Sequence, residues 1–313
     1  MGNILTISSK FHPGVTSVFT NMCSVIDNCE HEYFEDSKKD VNEYLLVVLG
    51  AWVDGYEELI EKIKVKKAIL WTSSILQSEM TPDRVELKIF LKIQKLLADG
   101  KIDFILVGDK KLFMATDDER ICLFPYPIRK EIFKTVNKKK FNDDEINVGL
   151  FTVSDPRKNT ANQIIAVEKA IQQNSKIRFH SNVTNYGNVN ENFVSYPWMK
   201  KGEYDEVIEK IHVGLNVFVC ESFCYSFVEL MSLGIPTICS KTVADNFDLS
   251  GRLRFYLEVL DCDNWREIYQ KIKRFETYYD GMDELSVECQ DFMKIFAEEN
   301  NNKLKNLVEF YLT

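Results

Sequence analysis

The sequence predicts an α/β protein of two tandem domains, each a parallel β-sheet covered by helices. Short runs of β-branched and apolar residues alternate with longer amphipathic stretches along the 313-residue chain, as a parallel sheet with crossover helices requires. The strand candidates are continuously apolar, for example at residues 45–49, which suits a sheet buried on both faces. The alternation stops once and restarts, and the length corresponds to about two domains.

The first half of the chain contains five strand candidates and one clear helix. The helix is predicted over residues 83–98, where Val85, Ile89 and Ile93 recur at helical spacing. The strands are predicted at residues 4–8, 44–49, 68–71, 104–107 and 121–124. We therefore expect an N-terminal Rossmann-like domain over residues 1–145.

The second half repeats this pattern after a polar linker candidate, residues 138–145, which carries charges of both signs. The predicted strands are 146–152, 176–179, 192–195, 215–219 and 237–239, and the predicted helices are 161–173, 203–211, 225–233, 265–278, 283–298 and 303–311. We expect a second Rossmann-like domain over residues 146–295 and a final helix, 296–313, that packs back on the first domain. Ligands of such sheets bind beyond the carboxyl ends of the strands, so two domains predict a cleft.

Composition and charge exclude several classes of protein. Apolar residues make up 45% of the chain and charged residues 28%, unlike a disordered chain. The net charge of −9 opposes binding to nucleic acid, which favours a basic surplus. The longest apolar run, residues 44–53, is about half a bilayer span, and no signal peptide is visible. We therefore expect a cytoplasmic protein with no nucleic-acid partner.

The cysteines and acidic residues do not indicate a metal site. The eight cysteines include no C-x-x-C pair, and several lie in apolar runs, where Cys packs as a small hydrophobic side chain. A candidate set of zinc ligands is His212, Cys220, Cys224 and Cys239, but their spacing in the sequence matches no recognised zinc motif. Asp261 and Asp263 form a D-x-D sequence, but Asp263 is expected to cap the following helix. We expect reduced thiols and neither a metal nor another cofactor.

The most informative segment of the sequence surrounds Glu221. A buried strand is predicted to end just before Glu221, and a helix is predicted to begin near Tyr225 and to end at Gly234, before Pro236. Glu221 then lies at the carboxyl end of a strand, and Glu229 lies on the helix. The N-terminus of that helix attracts phosphate. Carboxylates repel a phosphate ligand unless they face its sugars. There they can accept hydrogen bonds from the sugar hydroxyls.

This segment resembles the donor site of retaining glycosyltransferases with the GT-B fold, most closely glycosyltransferase family 4. The family signature is two glutamates with seven residues between them, then a helix of small residues and G-x-P; Glu221, Glu229 and residues 231–236 fit it. The resemblance implies that Glu221 contacts the donor sugar and Glu229 the ribose. It also implies diphosphate contacts from the turn Phe223, Cys224, Tyr225 and Ser226.

Two further segments resemble the family pattern. Residues 149–159 look like its strand and loop F-x-G-R-x-x-x-x-K-G/N, with Lys158 at the lysine that neutralises the departing diphosphate. The family arginine falls on Val153, and Arg157 is the alternative source of that charge. Gly14 matches the first-strand glycine whose backbone approaches the donor phosphates.

The resemblance implies both an activity and its participants. We expect transfer of a hexose from a nucleoside diphosphate sugar, such as a UDP- or GDP-sugar, to an acceptor hydroxyl with retention of configuration. Glu221 and Lys158 are the expected catalytic residues, no metal is expected, and Tyr196 and Pro197 are expected to contact the base. The resemblance also implies that residues 1–145 form the acceptor side. The expected acceptor is a glycan, a lipid-linked molecule or a small molecule, and peripheral membrane association stays open.

Departures from the family pattern keep other functions open. Many members carry a histidine after the fourth strand, where residues 70–74 read Leu-Trp-Thr-Ser-Ser, and Val153 replaces the arginine. The first alternative is a catalytically weak or idle nucleotide-sugar-binding protein of the same fold. The second is a DNA-base glycosyltransferase, which the acidic balance of both halves disfavours.

Overall fold

The structure is a computed structural model that describes residues 3–133, 145–153, 155–183, 191–249, 251–277 and 281–312. The chain folds as two compact units. Unit 1 comprises Met1–Lys130 together with Ala297–Thr313, and unit 2 comprises Glu131–Phe296. Most of the expected linker, residues 138–144, lies outside the described residues.

Unit 1 is built on a six-stranded parallel sheet in the order β2-β1-β3-β4-β5-β6. Its strands are Ile4–Ser8 (β1), Cys29–Tyr33 (β2), Leu46–Gly50 (β3), Lys66–Trp71 (β4), Phe104–Val107 (β5) and Ile121–Leu123 (β6). Its helices include Pro13–Val25 (α1), Tyr56–Lys62 (α2), Ile75–Met80 (α3), Val85–Ala98 (α4) and Lys110–Met114 (α5). Strands β1 and β3 are buried along their whole length, because helices cover both faces of such a sheet.

Strand β2 is missing from the sequence prediction. Its residues read Cys-Glu-His-Glu-Tyr and are half-buried or exposed, and it forms the edge of the sheet beside β1. An edge strand tolerates charged side chains, and charge protects it from pairing with other chains. The apolar pattern that predicts central strands is therefore absent here.

Unit 2 is built on a second six-stranded parallel sheet, in the order β12-β11-β10-β7-β8-β9. Its strands are Ile146–Leu150 (β7), Ile177–Ser181 (β8), Phe193–Ser195 (β9), Val213–Asn216 (β10), Thr237–Ser240 (β11) and Glu258–Val259 (β12). Helices Thr160–Gln173 (α6), Lys201–Ile208 (α7), Tyr225–Ser232 (α8), Lys241–Asn246 (α9), Gly251–Leu257 (α10) and Trp265–Thr277 (α11) connect or follow them, and Met282–Leu312 (α12) ends the described chain. The expected pair of Rossmann-like parallel sheets is confirmed.

Each sheet has a switch point, where the strand order reverses. In unit 1 it lies between β1 and β3, and in unit 2 between β7 and β10. The strands of unit 2, counted from β7, follow the order of the Rossmann fold. At a switch point the connections from two neighbouring strands leave toward opposite faces of the sheet, and the crevice between them is the usual ligand position.

Strand β10 ends at Asn216, earlier than the sequence predicts. The N–H of Val217 donates to Oε1 of Gln163 at 3.0 Å, and the N–H of Val219 donates to the carbonyl of Arg157 at 2.8 Å. These bonds replace the hydrogen bonds of the sheet ladder. Val217 remains fully buried, so the apolar run correctly indicates burial but not strand pairing.

Helix α12 is continuous, and the prediction of two separate helices in this stretch is wrong. Asn300 and Asn301 lie between the two predicted helices, and asparagine usually competes for the helix backbone. Here both amides bind outside the helix. Asn300 donates to the carbonyl of Tyr126, while Asn301 donates to the carbonyl of Ile128 at 2.8 Å and accepts from its N–H at 3.0 Å. The helix backbone is therefore left intact.

Candidate functional site

Two residues of opposite charge meet at the switch point of unit 2. Lys158 follows β7 and Glu221 follows β10, and these strands are neighbours in the sheet. The Lys158 ammonium forms an ion pair with Oε2 of Glu221, and the two side chains are only 16% and 12% exposed. The ammonium also lies 4.3 Å from the centre of the Phe218 ring, a cation–π contact. The fold thus joins two sequence-predicted residues that are far apart in the chain.

A buried glutamine holds the backbone of Lys158. Gln163, in α6, has no exposed surface. Its Nε2 donates to the carbonyl of Lys158 at 2.8 Å, and its Oε1 accepts from the N–H of Val217 at 3.0 Å. One amide thereby satisfies two backbone groups and ties the loop after β7 to the end of β10. The sequence analysis missed Gln163; a polar residue on the apolar face of α6 was the available signal.

Arg157 carries a charge that is already compensated. Its guanidinium grips Asp155 with two bonds, Nε–Oδ1 at 3.0 Å and Nη2–Oδ2 at 2.8 Å. The hydrogen bond from Arg157 lowers the pKa of Asp155, so this carboxylate stays ionised. Val153, at the position where the family pattern has arginine, is 46% exposed. Glu221 forms its ion pair with Lys158, although its charge also acts on Arg157.

The loop that carries Glu221 is fixed by Asn246, the last residue of α9. Nδ2 of Asn246 donates to the carbonyls of Glu221 at 2.8 Å and Ser222 at 3.1 Å. Phe223 packs its ring between Tyr225, 4.9 Å away, and Phe247, 5.1 Å away. Backbone hydrogen bonds and aromatic packing together set the path of the chain from Glu221 to the start of α8.

Helix α8 begins at Tyr225, directly after this loop, and its first turn contains no acidic residue. The N–H groups of that turn carry a partial positive charge that attracts anions. Burial and the charge of Glu221 raise the pKa of the preceding Cys224 thiol to about 12. Cys224 is therefore neutral at physiological pH. The hydroxyl of Ser226 lies 3.2 Å from the Asn216 amide, which anchors the helix start to β10.

Glu229 lies further along α8 and is half-buried. Burial and the negative charge of Glu229 raise the pKa of Tyr204. Tyr204 belongs to α7, and its ring meets Phe151 edge-on at 5.5 Å. The sequence analysis did not single out Tyr204, because the apolar pattern gives no sign of a contact between α7 and α8.

Tyr196 and Pro197 follow the edge strand β9. The Tyr196 hydroxyl lies 2.8 Å from Nδ1 of His180, and the two rings stack at 5.9 Å. Burial lowers the pKa of His180 to about 4, so the imidazole is neutral at pH 7. Its Nε2 lies 2.7 Å from Oδ1 of Asn147; Nε2–H then donates to Asn147 and Nδ1 accepts from Tyr196. Pro197 is exposed.

Gly14 belongs to unit 1, where it is the second residue of α1. A Cβ at this position would meet no atom within 4 Å. Neither packing nor the backbone therefore requires glycine here. In the loop before α1, the Ser9 hydroxyl and the N–H of Lys10, the latter at 3.1 Å, donate hydrogen bonds to the carboxylate of Glu35.

The acidic residues of the D-x-D sequence have local structural roles. Helix α11 begins at Trp265, so the prediction that Asp263 caps this helix is wrong. Asn264 occupies the capping position, and its Oδ1 accepts from the N–H of Arg266 at 3.2 Å. Asp261 accepts from the N–H of Asp263 at 3.2 Å. Within the described residues, no cluster of three or more His, Cys, Asp or Glu side chains is placed to hold a metal ion.

Comparison with known proteins identifies the fold. No protein-family model matches the sequence, and no curated protein matches it. Sucrose-phosphate synthase from Thermosynechococcus elongatus superposes with a TM-score of 0.72 at 11% identity, over 98% of each chain. HepE from Anabaena, in complex with UDP-glucose, superposes with a TM-score of 0.72 at 11% identity, over 99% of this chain and 100% of HepE.

TarM gives a TM-score of 0.67 at 12% identity, and the match covers 88% of this chain but 56% of TarM. The chain thus spans little more than half the length of TarM. These likenesses establish the fold that the sequence predicts: the chain has the GT-B fold, as glycosyltransferases of known structure do.

Among the helices of the described residues, none combines the length and apolar character needed to cross a bilayer.

Proposed function

We propose that the protein is a glycosyltransferase that moves a hexose from a nucleoside diphosphate sugar to an acceptor hydroxyl with retention of configuration. The observation that carries the proposal is the Lys158–Glu221 pair at the switch point of unit 2, beside the N-terminus of α8. A cation and a helix N-terminus complement a diphosphate. A carboxylate complements sugar hydroxyls. The GT-B fold supports the same activity.

In the proposed complex, the diphosphate lies at the N-terminus of α8. Lys158 exchanges its contact with Glu221 for the phosphate, and it neutralises the charge that develops as the sugar–phosphate bond breaks. Glu221 then accepts hydrogen bonds from hydroxyls of the transferred sugar, and Glu229 accepts those of the ribose. Together, Lys158 and the helix end supply positive charge without a metal ion in this proposal.

We assign no side-chain nucleophile. The acceptor hydroxyl attacks the anomeric carbon from the side on which the diphosphate departs, which preserves the configuration. Its proton passes to an oxygen of the leaving phosphate. Tyr196 and Pro197 are proposed contacts of the base, and Arg157, Phe223 and the backbone from Cys224 to Ser226 are proposed contacts of the diphosphate.

The solved structures suggest which donor to test first. HepE is in complex with UDP-glucose, and the pneumococcal O-GlcNAc transferase GtfA is in complex with UDP and GlcNAc. We therefore propose a UDP-sugar as the donor. A glycan, a lipid-linked molecule or a small molecule remains the proposed acceptor class.

The test combines binding with turnover. UDP, GDP and ADP, alone and as sugar nucleotides, are screened by thermal shift, since a ligand of the folded state raises the unfolding temperature. Hydrolysis or transfer is then followed by NMR, which also gives the anomeric configuration of the product. The Glu221→Ala variant should lose turnover by about 100-fold or more, with its folding checked by circular dichroism.

Glu284→Ala is the matched control for that variant. Glu284 also lies in unit 2 and pairs with an arginine, Arg252, but its side chain is 72% exposed. Its loss should leave turnover unchanged. Full activity in Glu221→Ala would show that Glu221 is not part of the catalytic site. A product with inverted anomeric configuration would exclude the retaining mechanism.

A nucleotide-sugar-binding protein without turnover is the second candidate function. It is favoured by Val153, which stands where the family pattern has an arginine, and by the pairing of Arg157, the alternative source of that charge, with Asp155. Less positive charge then stabilises the departing diphosphate. Saturable nucleotide binding without turnover of any donor would support this second candidate, and the absence of nucleotide binding would contradict both.

A further inference from the structure

Two cysteines of unit 1 lie unusually close together. The sulfur atoms of Cys23 and Cys29 are 2.6 Å apart. Cys23 is in the last turn of α1, and Cys29 is the first residue of β2. Both side chains are half-buried, and Ser24 and Asn28 beside them are exposed. The thiols are thus near each other and near solvent.

The register between α1 and the sheet sets this approach. Ser8 and Thr16 hydroxyls lie 3.0 Å apart, and the rings of Phe19 and His31 lie 5.8 Å apart. Helix positions 16, 19 and 23 share one face, and strand positions 29 and 31 share one face of β2. Ser8 of β1 lies beside this face, with its hydroxyl 3.3 Å from Nε2 of His31. The cysteines make the third of three successive contacts between α1 and this face of the sheet, so their distance follows from packing already in place.

We propose that Cys23 and Cys29 form a reversible dithiol–disulfide pair that low-molecular-weight disulfides such as oxidised glutathione convert to the bridged form. The bond requires an S–S length of about 2.05 Å, a small displacement from the observed separation. This modification site is independent of the glycosyltransferase proposal.

The chemistry proceeds by two thiol–disulfide exchanges. Cys23 loses its proton to solvent, and its thiolate attacks one sulfur of glutathione disulfide, forming a mixed disulfide and releasing one glutathione thiolate. Cys29 then loses its proton and attacks the Cys23 sulfur, which releases the second glutathione. In total the protein loses two protons and two electrons, and glutathione disulfide gains them.

The surroundings indicate which thiol reacts first. The hydrogen bond from Cys29 lowers the pKa of the Cys23 thiol, and the Thr6 hydroxyl, 3.8 Å away, acts in the same direction. The thiolate is the attacking species in exchange. Cys23 is therefore the attacking residue, and Cys29 resolves the mixed disulfide.

The experiment treats the full chain with oxidised glutathione under native conditions, alkylates the remaining thiols after denaturation, and digests with trypsin. Lys10 and Lys38 enclose both cysteines with no Lys or Arg between them, so the bridge stays within one peptide, residues 11–38. The expected peptide is unalkylated and lighter by two hydrogen atoms than the reduced form. Dithiothreitol should restore two alkylation sites.

Single variants give the controls. Cys29→Ser should stop the reaction at a glutathione adduct on Cys23, while Cys262→Ser, in unit 2, should leave the bridge unaffected. Two free thiols, or two glutathione adducts, in peptide 11–38 of the oxidised wild type would overturn the proposal. Bridged wild-type protein should also unfold at a higher temperature than the reduced protein. Donor binding is measured separately, so the two proposals can fail independently.

Discussion

The two switch points place different groups on the same kind of scaffold. In unit 1, the loop after β1 presents its Ser9 hydroxyl and the N–H of Lys10 to the Glu35 carboxylate. In unit 2, the loop after β7 presents the Lys158 ammonium, beside a helix end without acidic residues. We propose that the side chains on these loops, and not strand order alone, decide which switch point binds a diphosphate.

Removal of the Lys158 charge should have the largest effect on this difference. Lys158→Met keeps the apolar stem but removes the ammonium, so turnover should fall about 100- to 1,000-fold. Glu221 then lacks its cation, which should lower the free energy of unfolding by about 1–3 kcal/mol. Steady-state kinetics and urea unfolding measure the two effects.

Lys10→Met is the equivalent change in unit 1. Lys10 pairs with Asp36 at 2.6 Å, and both side chains are largely exposed. Its loss should change turnover by less than threefold and leave the free energy of unfolding nearly unchanged, because the pair is exposed to solvent. Equal losses of turnover in the two variants would show that unit 2 is not the only anion site.

Gln163→Leu tests the support beneath Lys158. The change leaves the carbonyl of Lys158 and the N–H of Val217 without their buried partner, which should lower the free energy of unfolding by about 2–4 kcal/mol. Gln172→Leu, on the exposed side of the same helix, should cost less than about 0.5 kcal/mol. Urea unfolding compares them, and similar losses would contradict the structural role of Gln163.

Acidification should affect unit 2 through His180. Burial lowers the pKa of this imidazole from 6.5 to about 4, so the unfolded chain takes up a proton at a higher pH than the folded chain. The stability from the neutral imidazole is complete above about pH 6.5 and is lost as the pH falls toward 4, by about 1–3 kcal/mol. His180→Gln should remove most of that dependence in urea unfolding at pH 7 and pH 5. An unchanged dependence would exclude His180 as its source.

Gly14→Ala is expected to have the smallest effect. The added methyl meets no protein atom, and alanine favours the helix, so stability should rise by about 0.5–1 kcal/mol. If the loop of unit 1 approaches the donor phosphates, nucleotide affinity should fall severalfold in an isothermal titration. Unchanged affinity would remove Gly14 from the donor site.

The sequence predicts the fold well, because apolar runs report burial directly. It predicts strand ends less well: Val217 and Val219 are apolar and buried, yet Gln163 and Arg157 take their N–H groups out of the sheet. Edge strand β2 gives no apolar signal at all. A run of apolar residues predicts burial locally, whereas the hydrogen-bond partners of a backbone group can be residues distant in the chain.

The candidate site was found in part from the sequence. The pairing of Lys158 with Glu221 follows from strand order, since β7 and β10 become neighbours only at the switch point. Gln163 and Tyr204 were missed, because a buried amide in α6 and a tyrosine in α7 look like ordinary helix residues until the tertiary contacts exist. The roles proposed for the individual site residues remain predictions.

Helix α12 has a consequence for the order in which the protein is completed during synthesis. Unit 1 takes its last elements from residues 297–313, where Leu304 is fully buried and the carbonyl of Tyr311 accepts from Nζ of Lys66 at 2.8 Å. The segments of unit 2 all emerge from the ribosome before these residues. Unit 1 is therefore the later of the two to be completed, because a segment translated after all of unit 2 packs against it.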